Sequence, residues 1–329
     1  AVKDNNLIAA TQGRSFWIID DLTVLHQLET GISTRDYHLF APMKTYRMGG
    51  GNGATSKTAG ANHPGGVLVH YFVKDPSASD TVAINFTEMD GKLIKTFSTH
   101  PNKEEDEGKL SLEPGLNRLR WNMRYKGATT FPGMILWWAT TQGPQAVPGT
   151  YTVTLTVNGK VQSEEFELVK DPRVSSTQAD LQDQFDYLIS VRDKLSETNQ
   201  AVIDIRKVRG QINDVMGKLG EDNEDLKELA KGILKDMKMI EEALYQTKNE
   251  SGQDPLNYPI RLNNKVGHLG SLMGVGDFKP TDQAKAFFNE VSAAIEKEIE
   301  KLDAIMEDRI PKFNEAVFNA KIEAVKLED

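Results

Sequence analysis

The chain has 329 residues, 39% of them hydrophobic, which is enough for two or three domains with buried cores rather than one small domain. Cysteine is absent, which excludes disulfides, thiolate metal sites and cysteine nucleophiles, and no run of about 18 apolar residues offers a membrane span. The net charge of −9 lies wholly in the second half: residues 171–329 hold 22 Lys and Arg against 31 Asp and Glu, residues 1–170 hold 17 of each, and an acidic half without basic stripes argues against nucleic acid or anionic lipid as a partner.

Residues 1–30 read as β-structure. A short strand at 6–11 and a turn at 12–15 lead into Phe16-Trp17-Ile18-Ile19, an almost wholly apolar second strand, and Asp21 is placed to cap a short helix. Such a hairpin needs a sheet to join, so this segment is expected to be covered by something other than solvent. No leader with a basic start and an apolar centre precedes it, and the chain reads as a fragment of something longer.

Residues 31–66 read as a flexible linker, rich in glycine from Gly49 to Gly53 and again at Gly60, Gly65 and Gly66. Ser56-Lys57-Thr58 resembles the end of a phosphate-binding loop. The glycine required before the lysine is Ser56, and neither strand nor helix flanks the motif, so a mobile crossing is the better reading.

Residues 67–170 carry the strand signals. Strands are expected at 67–73, 81–86, 93–97, 115–122, 150–157 and 161–169, with turns at Met89-Asp90-Gly91-Lys92 and Asn158-Gly159. Tyr151, Val153, Leu155 and Val157 face one way and Thr150, Thr152, Thr154 and Thr156 the other, the period of a strand with one buried face. Leu119 and Trp121 alternate with Arg118 and Arg120, which places Trp121 with Tyr151 in the core. Short strands at this spacing suit an immunoglobulin-like β-sandwich. Trp137-Trp138 is placed in or beside a strand, where neighbouring side chains point to opposite faces, so one ring should enter the core and the other meet solvent, another domain or a ligand. Packing against another domain and stacking on a sugar ring both remain open for the outward ring, with domain packing the better supported.

Residues 171–329 read as a helical bundle. Pro172 ends the last strand, and Ser176 or Thr177 caps a long helix from about 178 to 219, with Asp180 in its first turn. Further helices are expected at about 223–246, after Pro259, and at 281–309, with Pro311 breaking or kinking the last before a final turn or two through Phe313 and Val317. Arg192, Asn199 and Arg206 interrupt the apolar stripe of the long helix every seven residues. They could pair with acids of a neighbouring helix or bind an anion, and pairing is the better reading.

No catalytic residues emerge. There is no Gly-x-Ser-x-Gly elbow, and Asp20-Asp21 and the 104–107 acidic run do not supply two carboxyls facing each other across a cleft. The six histidines share no metal-ligand spacing, and no cofactor or metal is expected.

Residues 7–21, Leu-Ile-Ala-Ala-Thr-Gln-Gly-Arg-Ser-Phe-Trp-Ile-Ile-Asp-Asp, resemble the segment that closes the last blade of the bacterial sortilin-like BNR-repeat β-propeller proteins, often labelled glycosyl hydrolases. Leu39-Phe40-Ala41-Pro42, Tyr46-Arg47 and residues 129–138 continue the likeness, which covers only the C-terminal part of that architecture, since no Asp-box repeat is present. The spacing Asp90-x-Lys92, Gly115-x-Asn117, Trp121-Asn122 and Pro148-Gly149-x-Tyr151 is similar to the immunoglobulin-like module of flagellar hook-cap proteins. The resemblance implies propeller-derived strands at 1–30, a linker at 31–66, an Ig-like sandwich at 67–170 and a helical bundle at 171–329. It implies a secreted or periplasmic bacterial protein, a propeller of the same or another chain as partner, and a non-catalytic accessory role. The alternatives are a supporting part of a hydrolase whose active site lies in the propeller, or a carbohydrate-binding module using Trp137 or Trp138.

Overall fold

Tyr151 and Trp121 sit where the alternation puts them. In the computed structural model, which describes residues 1–3, 5–51, 56, 59–102, 105–220 and 222–322, both are buried, Trp121 completely. The chain is mixed β and α, with strands in three sheets followed by helices. It divides into two compact units. One is Ala1–Lys126 with Pro144–Phe185, the other Gly127–Gly143 with Asp186–Asp329.

In the first unit, β1 (Val2–Lys3), β2 (Asn6–Ala10) and β3 (Phe16–Ile19) form a small antiparallel sheet in that order, with Leu7 opposite Ile19 and Ala10 opposite Phe16. A one-turn helix α1 (Thr23–His26) follows. Asp21 serves its start one residue outside the capping position, its carboxylate accepting from Thr23 N at 3.0 Å. The next sheet joins β10 (Gly115–Trp121), β6 (Val67–Val73) and β4 (Tyr37–Leu39). The third has six strands in the order β5 (Thr45–Arg47), β12 (Lys160–Lys170), β11 (Gly149–Val157), β7 (Val82–Glu88), β8 (Leu93–Ser98) and β9 (Gly108–Lys109).

The last two sheets share one core. The Trp121 ring on β10 stacks on Phe86 of β7 at 4.5 Å between centroids, and meets Tyr151 and Phe166 edge-on at 6.2 Å each. Along β6 and β11 alternate residues are buried, as period-2 patterning requires. The hairpin from β11 to β12 turns at Asn158 (φ 49°) and Gly159 (φ 81°), the two positive-φ positions of a type I′ turn, and this sets the register with Val157 opposite Lys160.

Residues 31–66 are less of a linker than their composition implies. β4 pairs with β6, β5 runs parallel to β12, and buried Arg47 donates to Ala146 O at 2.7 Å. Gln162 on β12 acts as a surrogate strand partner for Leu39, accepting from its N–H at 2.9 Å and donating to its carbonyl at 3.1 Å. The glycines at the ends of the rich stretch serve close approach: a Cβ on Gly50 would lie 1.9 Å from Pro64 O. Gly53, Lys57 and Thr58, which carry part of the linker and phosphate-loop readings, lie outside the described residues, as does Glu104.

The second unit is helical. α2 (Gln178–Met216) is continuous over 39 residues, passing Gly210 without a break; its first residues, to Phe185, belong to the first unit. It begins at a capping box in which Asp180 N donates to Thr177 Oγ1 at 3.1 Å and Thr177 N to Asp180 Oδ2 at 2.9 Å. α3 (Glu224–Leu244), α4 (Leu262–Met273), α5 (Asp282–Ala304) and α6 (Ile310–Asn319) follow. Leu195, Val202 and Ile205 of α2, Ile233 and Met237 of α3, Val266 of α4 and Ile295 of α5 share one core. Pro311 distorts the last helix without ending it, and the turns expected through Phe313 and Val317 are present. A π-helical turn over Ile305–Arg309 precedes it, and the chain stays helical to Asn319. The widened turn answers the missing proline N–H and the clash of its ring with the carbonyl four residues back. No helix among the described residues is long and apolar enough to cross a membrane.

Candidate functional site

Trp137 and Trp138 are not on a strand, and neither enters the core around Trp121 and Tyr151. Residues 127–143 form an irregular loop that belongs to the helical unit. The reason is a set of partners from the helices that the strand pattern could not register. Thr129 N donates to Ser196 Oγ at 3.1 Å, and Asn199 Nδ2, fully buried on α2, donates to Thr129 O at 2.7 Å. Asn263 of α4 donates in turn to Asn199 Oδ1 at 3.1 Å. Phe131 is buried edge-on against Tyr245 at 5.0 Å, with the Arg206 guanidinium 4.7 Å from its centre. The Tyr245 hydroxyl accepts from Ile135 N at 3.1 Å and donates to Gly133 O at 3.3 Å.

The tryptophans are held by their backbone. Asn264 of α4 accepts from Trp137 N at 2.6 Å and donates to Trp137 O at 2.9 Å, a two-bond clamp. The Trp138 carbonyl lies 2.8 Å from His268 Nδ1, which must carry the proton there because a carbonyl only accepts. Thr140 N donates to Gly267 O at 3.2 Å. On this fixed frame Trp137 is half-buried, while Trp138 is 73% exposed, with its ring 6.3 Å from that of Trp137.

Trp138 has φ of 52°, in the left-handed region, which costs a residue with a Cβ roughly 1–2 kcal/mol. An exposed aromatic side chain at a strained position adds little to the fold beyond its edge-on contact with the Trp137 ring. Replacing Trp138 by Ala is therefore expected to change stability by less than about 1 kcal/mol, as at other exposed sites. Trp138→Gly relieves the backbone and should stay within the same margin despite the added chain entropy. Urea denaturation of the two variants checks both, and a loss above 2 kcal/mol in either would show that the ring supports the core.

The polar seam of α2 divides into three roles. Arg192 Nε donates to its neighbour Asp193 at 2.6 Å, Asn199 holds the loop, and Arg206 pairs with buried Glu241 of α3, its Nε donating to Oε1 at 2.7 Å. Pairing with a neighbouring helix thus holds for Arg206. Glu241, Asn263 and Asn264 carried no individual sequence signal, although two adjacent asparagines on a helix with an apolar stripe are the trace such a clamp leaves.

Elsewhere the candidates stay apart. Among the described residues no three His, Asp or Glu side chains stand close enough to hold a metal ion. His70 lies half-buried on β6, and burial holds its pKa below the usual histidine value, with Asp21 opposing and Arg118 reinforcing the shift. In the acidic loop Glu105 pairs with Lys126 at 2.8 Å and Asp106 with Lys95 at 2.6 Å. A cavity of about 620 Å³ lies beside Met43, Tyr46, Met48, His63 and Arg173 in the first unit, with no converging acid–base pair among those residues.

No protein-family model and no curated protein matches the chain. Among solved structures, pT26-6p is 14% identical over 79% of this chain, with a TM-score of 0.17, and this chain spans 48% of its length. A likeness at that level sets neither fold nor function.

Proposed function

We propose that the chain is the non-catalytic C-terminal interaction region of a secreted or periplasmic bacterial BNR-repeat, sortilin-like propeller protein. On this reading β1 to β3 are strands that close the propeller's last blade, the two larger sheets are an Ig-like sandwich, and the helices form an accessory bundle. The observation that carries the reading is β3. Phe16, Trp17, Ile18 and Ile19 are 74, 65, 57 and 53% exposed, and β3 is the outer strand of its sheet. A strand apolar on both faces is the pattern of one covered on both sides, and a free edge of this kind takes up another strand. A propeller blade supplies both. The absence of cysteine fits passage through an oxidising space.

The test is to express the chain alone and together with the segment encoded upstream of it in the same gene. Propeller repeats are expected there, and amide exchange at residues 16–19 should slow by at least a hundredfold in the longer protein. An upstream sequence without such repeats, or unchanged exchange, overturns the proposal. Facing carboxylates in the central channel of those repeats would move the reading to its rival, the supporting part of a glycoside hydrolase.

A carbohydrate-binding role is the second reading, favoured by Trp138, a ring exposed on a loop pinned from Asn264, His268 and Tyr245. A flat aromatic face presented at fixed orientation suits the apolar face of a sugar ring, and its rigidity lowers the ordering cost of binding. A glycan array on the chain and on Trp138→Ala tests it. Binding that disappears with the ring supports the reading, and an array without signal removes it.

A further inference from the structure

The Arg206–Glu241 contact is not a simple ion pair. Arg209, one turn along α2, also donates to Glu241, through Nη1 to Oε2, so two guanidinium groups converge on one carboxylate. Glu241 is 3% exposed, whereas each arginine side chain remains 35% exposed. Both arginines line a cavity of about 500 Å³, together with Asn213, Lys238 and Thr247. Lys238 lies 3.8 Å from Glu242, so the lining holds three cations against two carboxylates and one positive charge is left over.

The two arginines take one Glu241 oxygen each, through Arg206 Nε and Arg209 Nη1, which leaves their other guanidinium N–H groups for further partners. The second arginine, a lysine, an amide and a hydroxyl around the same space form the donor set that an oxyanion requires, since guanidinium forks match carboxylate and phosphate oxygens two at a time. The Arg206 guanidinium is also held beside two rings, 4.7 Å from the Phe131 ring centre and 5.4 Å from that of Tyr245, contacts that limit its movement before any ligand arrives. The excess positive charge stands in the half of the chain that carries the whole negative surplus, so it is a local feature and not part of a basic surface.

We infer that this cleft between α2 and α3 binds a small molecule bearing an oxyanion group, a phosphate or a carboxylate. Arg209 and Lys238 supply charge, Thr247 and Asn213 supply neutral donors, and Glu241 positions the two arginines. The inference is independent of the propeller reading, since it uses only the helical unit.

Inorganic phosphate and succinate are titrated separately into the whole chain at ionic strength held constant with chloride. Melting temperature and the Nε–H signals of the arginines in ¹H–¹⁵N spectra are followed. At least one anion is expected to raise the melting temperature saturably and to shift Arg206 and Arg209. A response to phosphate alone assigns a phosphate group, and one to succinate alone a carboxylate. Arg209→Gln should weaken binding at least tenfold. Lys238→Gln, at a side chain 68% exposed and so harmless to folding, should weaken it several-fold. No saturable response beyond chloride overturns the inference. So does undiminished binding in either folded variant, which would mean an adventitious ion only.

Discussion

Trp121→Ala is expected to remove most of the stability of the first unit. The ring is fully buried, stacks on Phe86, meets Tyr151 and Phe166 edge-on, and donates from Nε1 to Arg124 O at 3.1 Å. Truncating a buried tryptophan to alanine costs about 3–5 kcal/mol, from lost transfer energy and from the cavity left behind. Ordinary domains have only about 5–15 kcal/mol to lose. The ring sits where two sheets meet, so no single strand can shift to refill the space without breaking its ladder. Urea denaturation followed by near-UV circular dichroism should show the first unit's transition moved to much lower denaturant. Trp121→Phe, which keeps an aromatic plate against Phe86, should recover a good part of the loss. A transition within 1 kcal/mol of wild type in Trp121→Ala would mean that the ring is not the keystone of this core.

Asn199→Ala is expected to have the second largest effect, on the helical unit. Two opposed terms decide it. Alanine is the better helix former and returns roughly 0.5 kcal/mol. Against that, Thr129 O loses the donor 2.7 Å away and Asn263 Nδ2 loses the acceptor 3.1 Å away, both in a buried site. Each orphaned group costs about 1–3 kcal/mol, so a net loss of about 3 kcal/mol follows. The expected signature goes beyond stability. Asn199 holds the start of the loop that carries Trp137, so a red shift of tryptophan emission should accompany the loss. In a double-mutant cycle with Asn263→Ala the two residues should couple by about 0.5–3 kcal/mol, as groups in one network do. Additive effects without a spectral change would show that the two asparagines act separately and leave the loop in place.

These two residues mark how far the sequence could be read. Trp121 was legible because its evidence is local: alternation with Arg118 and Arg120 puts it on the buried face of its own strand. Asn199 stood out only as an interruption of an apolar stripe, and nothing near it named Thr129 as its partner, 70 residues away. The same holds for Arg206, whose heptad spacing raised pairing but could not choose Glu241. For Trp137-Trp138 one outward ring was expected, and Trp138 is the exposed one. The strand under them was wrong, because two adjacent tryptophans carry β-propensity whether or not a sheet receives them.

The sequence by itself determined β2, β3, β6 to β8 and β10 to β12, the turn at Asn158-Gly159, the capping box at Thr177 and Asp180, the long helix, and the burial of Trp121 and Tyr151. Each of these rests on a period, a cap or a backbone preference that neighbouring residues spell out. Only the tertiary structure decided that residues 127–143 go with the helices, that residues 31–66 contribute strands, that β3 is the outer strand of its sheet, and that Arg206 and Arg209 share one buried carboxylate. Those outcomes depend on which distant surfaces meet, and side-chain partners tens of residues apart leave no period in the chain from which they could be read.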